Sequence, residues 1–363
     1  MREMCDVIVV GGGPGGSVAA KKCAQHGFKT LLIEKKRLPR DKVCSGMVMG
    51  PWAQETIQKE FGEIPQEILA APYYLSGHVI HVPEVEPQII ECRTPLAWRR
   101  DLDFWMNQRA RDAGVEIWER AKVMAVAQNG GGCKVTLEKA GQQQSLRARF
   151  VIGADGAASA VRKSLFPQLK IRYSTPIREC YKGSLDIEKD YFHWFFPHSR
   201  PRPRFALNHK DAFFLIEGSG IRELRAEIQQ ILAPYGFDIG SKPLWKDGCV
   251  EPRLHNELIS GSFSPAEGNT LLIGDAAGLV FPITFEGIGS ALKSGVAAAE
   301  SVNTAHRQGV KAAGIYLQRL EPILEVLKAL HSLNDGLEKA ATEGPDRFSR
   351  LLKAAYEETL KRI

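Results

Sequence analysis

The sequence predicts an α/β fold: a dinucleotide-binding domain on a parallel sheet, a β-rich second domain and a C-terminal helical segment. Three observations carry that expectation. A short apolar run, Val7-Ile8-Val9-Val10, enters a glycine-rich loop, then a helix-forming stretch and a second apolar run, Thr30-Leu31-Leu32-Ile33. Buried-strand patterns return at residues 149–153 and 269–274. From Gly287 onward the pattern is helical almost without interruption.

Each element has its own warrant. The expected strands 6–10 and 30–34 are built on the continuous apolar runs Val7–Val10 and Leu31–Ile33, the signature of parallel strands covered on both faces. The helix between them, expected over 17–26, stops at Gly27, a C-cap residue. Together they form a βαβ unit. Residues 35–75 read as loops with one or two helices, and 76–95 alternate as a strand interrupted by prolines. A helix is expected over 101–113 and a strand over 115–118. Residues 122–127 and 133–138 read as a hairpin around Asn129-Gly130-Gly131-Gly132. Residues 165–265, rich in aromatics and prolines, read as β-dominated. The C-terminal helices, over 316–333 and 345–360, are amphipathic. In the second, Phe348, Leu351, Leu352, Ala355 and Leu360 form a stripe, read as a packing face rather than a membrane contact. The expected division is 1–75, 99–165 and 266–305 for the cofactor, 76–98 and 166–265 for the substrate, and 306–363 for the helical segment.

Composition narrows the classes. Hydrophobic residues at 44% and charged residues at 25% exclude wholesale disorder. No apolar run reaches the ~18 residues of a spanning helix. No secretory leader is expected, because the charged first six residues lead straight into a strand. Seven cysteines, at 5, 23, 44, 92, 133, 180 and 249, include no C-x-x-C pair. That argues against a disulfide framework or a thiolate zinc site and points to a reducing cytosol. His78 and His81, three apart in a strand-like context, are expected on opposite faces, so no metal site is expected there. The net charge of +6 suits a protein that handles phosphates or touches anionic lipid, and is too diffuse for nucleic acid. A cytoplasmic protein is expected, with peripheral contact on the membrane's cytoplasmic face as an alternative.

The loop Gly11-Gly12-Gly13-Pro14-Gly15-Gly16 satisfies G-x-G-x-x-G with Gly11, Gly13 and Gly16. One glycine permits the tight turn, one lets a pyrophosphate approach the backbone, and one lets helix and strand pack closely. The helix N-terminus then offers free N–H groups to phosphate. Glu34, followed by Lys35, ends the second strand, where a carboxylate can accept from ribose hydroxyls. The alternative is a glycine-rich turn without ligand, and the loop by itself leaves NAD and FAD open.

Two distant segments decide between them: Gly153-Ala154-Asp155-Gly156 running to Ser159 and Val161-Arg162, and Ile273-Gly274-Asp275-Ala276. With the glycine loop they resemble the flavoprotein class of para-hydroxybenzoate hydroxylase type, which also contains flavin halogenases and geranylgeranyl reductases. The resemblance spans nearly the whole chain. It implies an FAD-binding Rossmann-like domain of glutathione-reductase type, with Gly274 and Asp275 at the ribityl hydroxyls and Asp155 and Arg162 shaping the middle site. The bland readings are a turn former for Asp155 and a helix cap for Asp275. Arg99, opening a segment similar to the class's R-x-x-F-D-x-x-L helix start, would reach the FAD phosphates, with Arg100 as the alternative. A helix from Gly287 and Ile288 would aim its N–H groups at the flavin's pyrimidine edge, a lever on redox potential.

Within that class the chain is most similar to geranylgeranyl reductases. Asp41-Lys42-Val43-Cys44-Ser45-Gly46 resembles their R-x-K-x-C-G-G segment, making Cys44 a candidate thiol by the reacting carbon. A small buried hydrophobe is the other reading. Phe285 stands where their P-x-T-G-E-G-I pattern has glycine. Phe192, Trp194, Phe196 and Pro197 fit their Y-x-W-x-F-P pattern, with Phe192 replacing tyrosine. In a strand these three rings share a face and form an aromatic wall suited to a polyisoprenoid. Arg200, Arg202 and Arg204, on an expected extended turn, are candidates for a diphosphate, a nicotinamide phosphate or an anionic surface. A solvated loop is the alternative. No second glycine-rich motif is present, so NADPH would visit transiently, or an electron-donor protein or free reduced flavin would supply electrons. The resemblance implies hydride delivery to a carbon–carbon double bond of a hydrophobic isoprenoid-type substrate, with Cys44 or water donating the proton. The alternatives are an aromatic monooxygenase or halogenase on the same fold, or an FAD-binding scaffold or maturation partner.

Overall fold

The structure, a computed structural model, describes residues 5–129, 132–197, 204–221, 223–238 and 240–363. The apolar run becomes the strand Cys5–Val10, with Val7 to Val9 fully buried. It lies between two parallel neighbours, Thr30–Ile33 and Gln142–Gly153. Glu116–Trp118 extends the sheet beyond Thr30–Ile33, and Thr270–Leu272 extends it beyond Gln142–Gly153. The hairpin strands Ala121–Asn129 and Gly132–Lys139 attach to Gln142–Gly153 by antiparallel pairing, and their turn, Gly130-Gly131, lies outside the described residues. The crossover helix is Pro14–Gln25, three residues longer at its start than the sequence pattern indicates. Pro14 opens it because the first turn leaves N–H groups unpaired in any case, so a missing one costs nothing. The long helix Ile288–Gln308 packs on it at the closest approach two backbones allow. A Cβ on Gly15 would lie 2.7 Å from the Ala291 carbonyl oxygen, and one on Gly295 2.5 Å from that of Gly15.

The second sheet runs, in spatial order, Trp245–Gly248, Ile177–Lys182, Phe213–Gly218, Phe205–Lys210, Tyr191–Phe195, Leu69–His81 and Gln88–Ala97. Its pairings are antiparallel except that of Tyr191–Phe195 with Leu69–His81. Successive side chains alternate between faces, and the two faces are covered differently. Phe195, Phe205 and Phe214 pack under the helix Arg225–Leu232 through Ile228 and Leu232. Phe192, Trp194 and Phe196 share the other face with His78 and face the C-terminal helix Pro345–Arg362, whose Phe348, Leu352, Ala355 and Tyr356 are buried against them. Leu351, counted in the apolar stripe by spacing, is 41% exposed and lies off the packing face. Burying one such large side chain contributes about 1.5–3 kcal/mol, so this helix is held by its aromatic contacts. The intervening helix Ala312–Ala340 docks on the first sheet, where the Tyr316 hydroxyl donates to the Leu272 carbonyl at 2.7 Å. No helix among the described residues is long and apolar enough to cross a membrane.

Candidate functional site

The strands of the parallel sheet deliver their C-terminal ends to one edge, where open α/β sheets bind ligands. There Val10 passes into Gly11, Ile33 into Glu34, Gly153 into Ala154 and Ile273 into Gly274. Gly11 takes φ +106, and a Cβ on it would sit 2.3 Å from the Ala154 oxygen. A Cβ on Gly16 would sit 1.9 Å from the Gly11 oxygen. Gly13 is different: the nearest atom to its added Cβ is an Arg40 nitrogen at 3.6 Å, so its surface is open. The loop is therefore a cradle of bare backbone at the start of Pro14–Gln25, whose first N–H groups have no intrahelical acceptor. A cavity of about 500 Å³ begins there and runs to the aromatic face of the second sheet.

Glu34 is buried and accepts from the Gly12 N–H at 3.0 Å, the Lys36 N–H at 2.9 Å and Arg40 Nε at 3.1 Å. Lys35 lines the cavity beside it. Arg40 bridges on to Asp103 at 3.1 Å, and Asp103 holds Arg99 bidentately at 2.7 and 3.0 Å. Burial alone would lower the Arg99 pKa; Asp103 overrides it and raises the value. Asn107, one turn further on, donates to the Gly12 carbonyl at 2.9 Å, and its own side-chain oxygen has no partner. Of this network the sequence reading singled out Glu34 and Arg99; Arg40, Asp103 and Asn107 were missed. The signal for Arg40 was its place two residues before Lys42, the arginine position of the R-x-K-x-C pattern.

Asp155 lines the cavity, but its carboxylate turns back onto the helix Ala160–Leu165. It accepts from Ser159 Oγ at 2.6 Å and from the N–H groups of Ala160 and Val161 at 2.6 and 3.2 Å. Burial raises its pKa against those hydrogen bonds. Arg162 does not line the cavity. Its guanidinium is buried and donates to the carbonyls of Ala157, Asp275 and Ala276, tying the two cavity loops together from behind. Asp275 does line the cavity, 3.7 Å from Lys42 Nζ, as do Gly274, Gly287 and Ile288.

The long helix starts at Ile288 with Gly287 as its cap, but its free N–H groups are not all available. Buried Glu286 takes the Gly289 N–H on one carboxyl oxygen, and its other oxygen has no partner. Burial pushes its pKa up to about 7 against the first-turn N–H groups. The Cys44 thiol sits half-buried in the cavity wall and accepts from the Gly46 N–H at 3.4 Å, while the Cys44 carbonyl accepts from Arg178 at 2.8 Å. Cys249 also lines the wall, its thiol pushed up to about 12 by burial.

The far end is lined by Met47, Met49, Phe192, Trp194 and Phe285, with the Arg204 guanidinium 4.7 Å from the Trp194 ring. Phe192 and Trp194 pack at 4.8 Å. Phe196 shares their face but does not line the cavity; its ring packs edge-on against Phe348 at 5.7 Å. Phe285 takes φ +56, in the left-handed region where glycine carries no penalty, at the position where the reductase pattern has glycine. Arg204 is no solvated turn residue: it is 5% exposed, and it lines the cavity at the foot of Phe205–Lys210. Arg200 and Arg202 lie outside the described residues. His78 and His81 do face opposite sides, His78 toward Phe192 and His81 stacked on Phe195.

The FAD binding domain family matches residues 4–191 of this chain. Protein CbrA of Escherichia coli K12 is 24% identical over 80% of this chain and 82% of its own. The digeranylgeranylglycerophospholipid reductase of Methanocaldococcus jannaschii is 25% identical over 84% of this chain and 78% of its own. A geranylgeranyl bacteriochlorophyll reductase-like protein of Thermoplasma acidophilum superposes with a TM-score of 0.77 at 20% identity, covering 99% and 98% of the two chains. The flavin-dependent halogenase CmlS does so with 0.73 at 18%, covering 97% and 68%. At such identities these structures establish a common fold, and the family match establishes the cofactor class. The chain belongs to the FAD-binding domain family of oxidoreductases.

Proposed function

We propose that this chain is an FAD-dependent oxidoreductase that saturates carbon–carbon double bonds of a hydrophobic, isoprenoid-type substrate. One observation carries the reading: the cavity that begins at the glycine cradle ends on Met47, Met49, Phe192, Trp194 and Phe285. Such surfaces recognise apolar chains and supply few groups that would orient a phenol. The likeness to the archaeal reductase supports it.

The site's residues divide the work. Gly13, Gly15 and Gly16 would hold the FAD pyrophosphate, Glu34 and Lys35 the adenosine side, and Gly274 and Asp275 the ribityl chain. Arg99 would face the phosphates with its charge fixed by Asp103. Gly287 and Ile288 would meet the flavin ring. FAD, when bound and reduced by two electrons, would supply a hydride to one carbon of the double bond. Cys44 Sγ is the candidate proton donor to the other carbon, and water in the closed cavity is the alternative. Electrons would arrive from NADPH bound transiently or from a donor protein.

A second reading is oxygen-dependent chemistry on an aromatic, and Glu217 and Arg204 in the cavity wall favour it, because ionic groups orient small aromatic acids. Mass spectrometry of lipids that co-purify with the protein separates the two. Prenyl chains differing by two hydrogens per double bond support the reductase. Small aromatic acids in their place favour the second reading.

A further inference from the structure

Glu217 is half-buried and lines the cavity, on the face of the second sheet that carries Trp194. Antiparallel register sets one row across that face. Trp194 stands opposite Ala206, Ala206 opposite Glu217, Glu217 opposite Arg178 and Arg178 opposite Asp247. Opposed residues share a face, and neighbouring strands lie about 4.8 Å apart. In this row the small Ala206 side chain alone separates Glu217 from the Trp194 ring.

The cations on the neighbouring strands are engaged elsewhere. Asp247 binds the Arg178 guanidinium bidentately at 3.1 and 2.8 Å, and Arg178 also donates to the Cys44 carbonyl at 2.8 Å. Lys210 Nζ donates to the carbonyls of Ser45 and Ala97. Arg204 donates to the Tyr356 hydroxyl and the Ile283 carbonyl. Among the described residues the Glu217 carboxyl forms no hydrogen bond or ion pair. Arg178 and Lys210 thus fasten the Cys44-Ser45 loop to the sheet, and Glu217, Arg178 and Cys44 share one wall. Burial pushes the Glu217 carboxyl above the usual carboxylate range. Arg178 and Lys210 oppose the rise, and Asp247 and Glu251 add to it. A carboxyl that burial keeps from ionising, with no bond to hold its proton, is a proton source.

We propose that Glu217 is the proton donor of the reduction, its carboxyl protonating the alkene carbon that does not receive the hydride. The π bond breaks. The hydride from the reduced flavin forms one C–H bond with its electron pair, and the Glu217 O–H bond breaks to form the other. The flavin is left oxidised, and water at the cavity mouth returns a proton to the Glu217 carboxylate. This rests on the reductase reading and names a donor other than the two considered above. An ordinary carboxyl is a stronger acid than an ordinary thiol by about four pKa units.

The test follows anaerobic reoxidation of the reduced, FAD-loaded protein by geranylgeraniol or geranylgeranyl phosphate between roughly pH 5.5 and 9. Wild type should slow by about ten-fold per pH unit once the carboxyl ionises. Glu217→Gln should be slower by about a hundred-fold or more at the acid end and lose that slope. It should keep its FAD, with lipid affinity within about two-fold of wild type. Glu217→Asp should keep part of the rate, because the acid is shorter but present. Cys44→Ser should keep the slope. Infrared difference spectra of the oxidised protein over the same range should show a protonated-carboxyl band that Glu217→Gln removes. A wild-type rate or slope in Glu217→Gln, loss of the slope in Cys44→Ser instead, or absence of that band overturns the donor role alone. No reoxidation of wild type by either lipid removes the reductase reading, and the donor role with it. If Glu217→Gln fails to hold FAD, Glu217→Asp decides: wild-type rate, slope and band position together overturn the donor role.

Discussion

Arg204 donates to the Tyr356 hydroxyl at 3.1 Å, and that hydroxyl donates in turn to the Ile283 carbonyl at 3.2 Å. The C-terminal helix is thereby fastened to the loop that carries Thr284 and Phe285, so the lid over the aromatic face and the cavity wall are one structure. Tyr356→Phe removes the hydroxyl from this contact while keeping the ring against Trp194. Stability should fall by about 1–3 kcal/mol, because a buried guanidinium loses an acceptor. Urea unfolding of both proteins at one pH checks it, and an unchanged midpoint would show that the helix is held by its rings alone.

Glu286 links the cavity to pH. Its carboxyl, near 4.5 in an unfolded chain, is pushed up to about 7 by burial. Below about pH 4.5 both states hold the proton and folding carries no charge penalty. As pH rises, the unfolded state releases its proton first, and stability falls until the folded carboxyl ionises near 7. Glu286→Gln keeps an oxygen for the Gly289 N–H and removes the titration. The stability difference between variant and wild type should grow in the variant's favour between pH 4.5 and 7, by at most roughly 3 kcal/mol. Parallel unfolding curves across that range would remove the buried, ionisable Glu286 from the account.

Glu34 holds the Gly12 N–H and Arg40 together at the cradle. Glu34→Lys replaces an acceptor with a donor beside Arg40 and should weaken FAD binding by about 1–2 kcal/mol, roughly five- to thirty-fold. Titration of the cofactor-free protein with FAD measures it. Unchanged affinity would mean that Glu34 serves the loop and not the cofactor.

Cys44→Ser should leave FAD bound and alter turnover or the flavin midpoint potential, since the thiol lies in the cavity wall. Wild-type turnover and potential together would reduce Cys44 to packing.

The sequence carried those parts of the site that lie along one stretch of chain. The glycine cradle, Glu34 and Asp275 were legible because each follows an apolar strand, and strand ends share one edge of a parallel sheet. Partnerships between distant segments were not. Arg40, Asp103 and Asn107 meet only because the helix Arg99–Asp112 packs beside the glycine loop. Period-two alternation put Phe192, Trp194 and Phe196 on one face but gave no sign that a C-terminal helix covers it and takes Phe196 away from the cavity. Arg204 ends a proline- and arginine-rich run that reads either as a phosphate or anionic-surface contact or as a solvated loop, and only the fold shows that its side chain is buried. Arg162 matched a motif, yet its buried guanidinium is spent on three backbone carbonyls.

The measurement that tests the central claim most directly is anaerobic. The FAD-loaded protein is reduced with dithionite, a geranylgeranyl lipid is added under argon, and the oxidised flavin absorbance and product mass are followed. The account predicts that the oxidised absorbance returns without oxygen and that the lipid gains two hydrogens for each flavin reoxidised. No return of absorbance with any polyprenyl substrate, together with oxygen-dependent hydroxylation or halogenation of an aromatic, would contradict it.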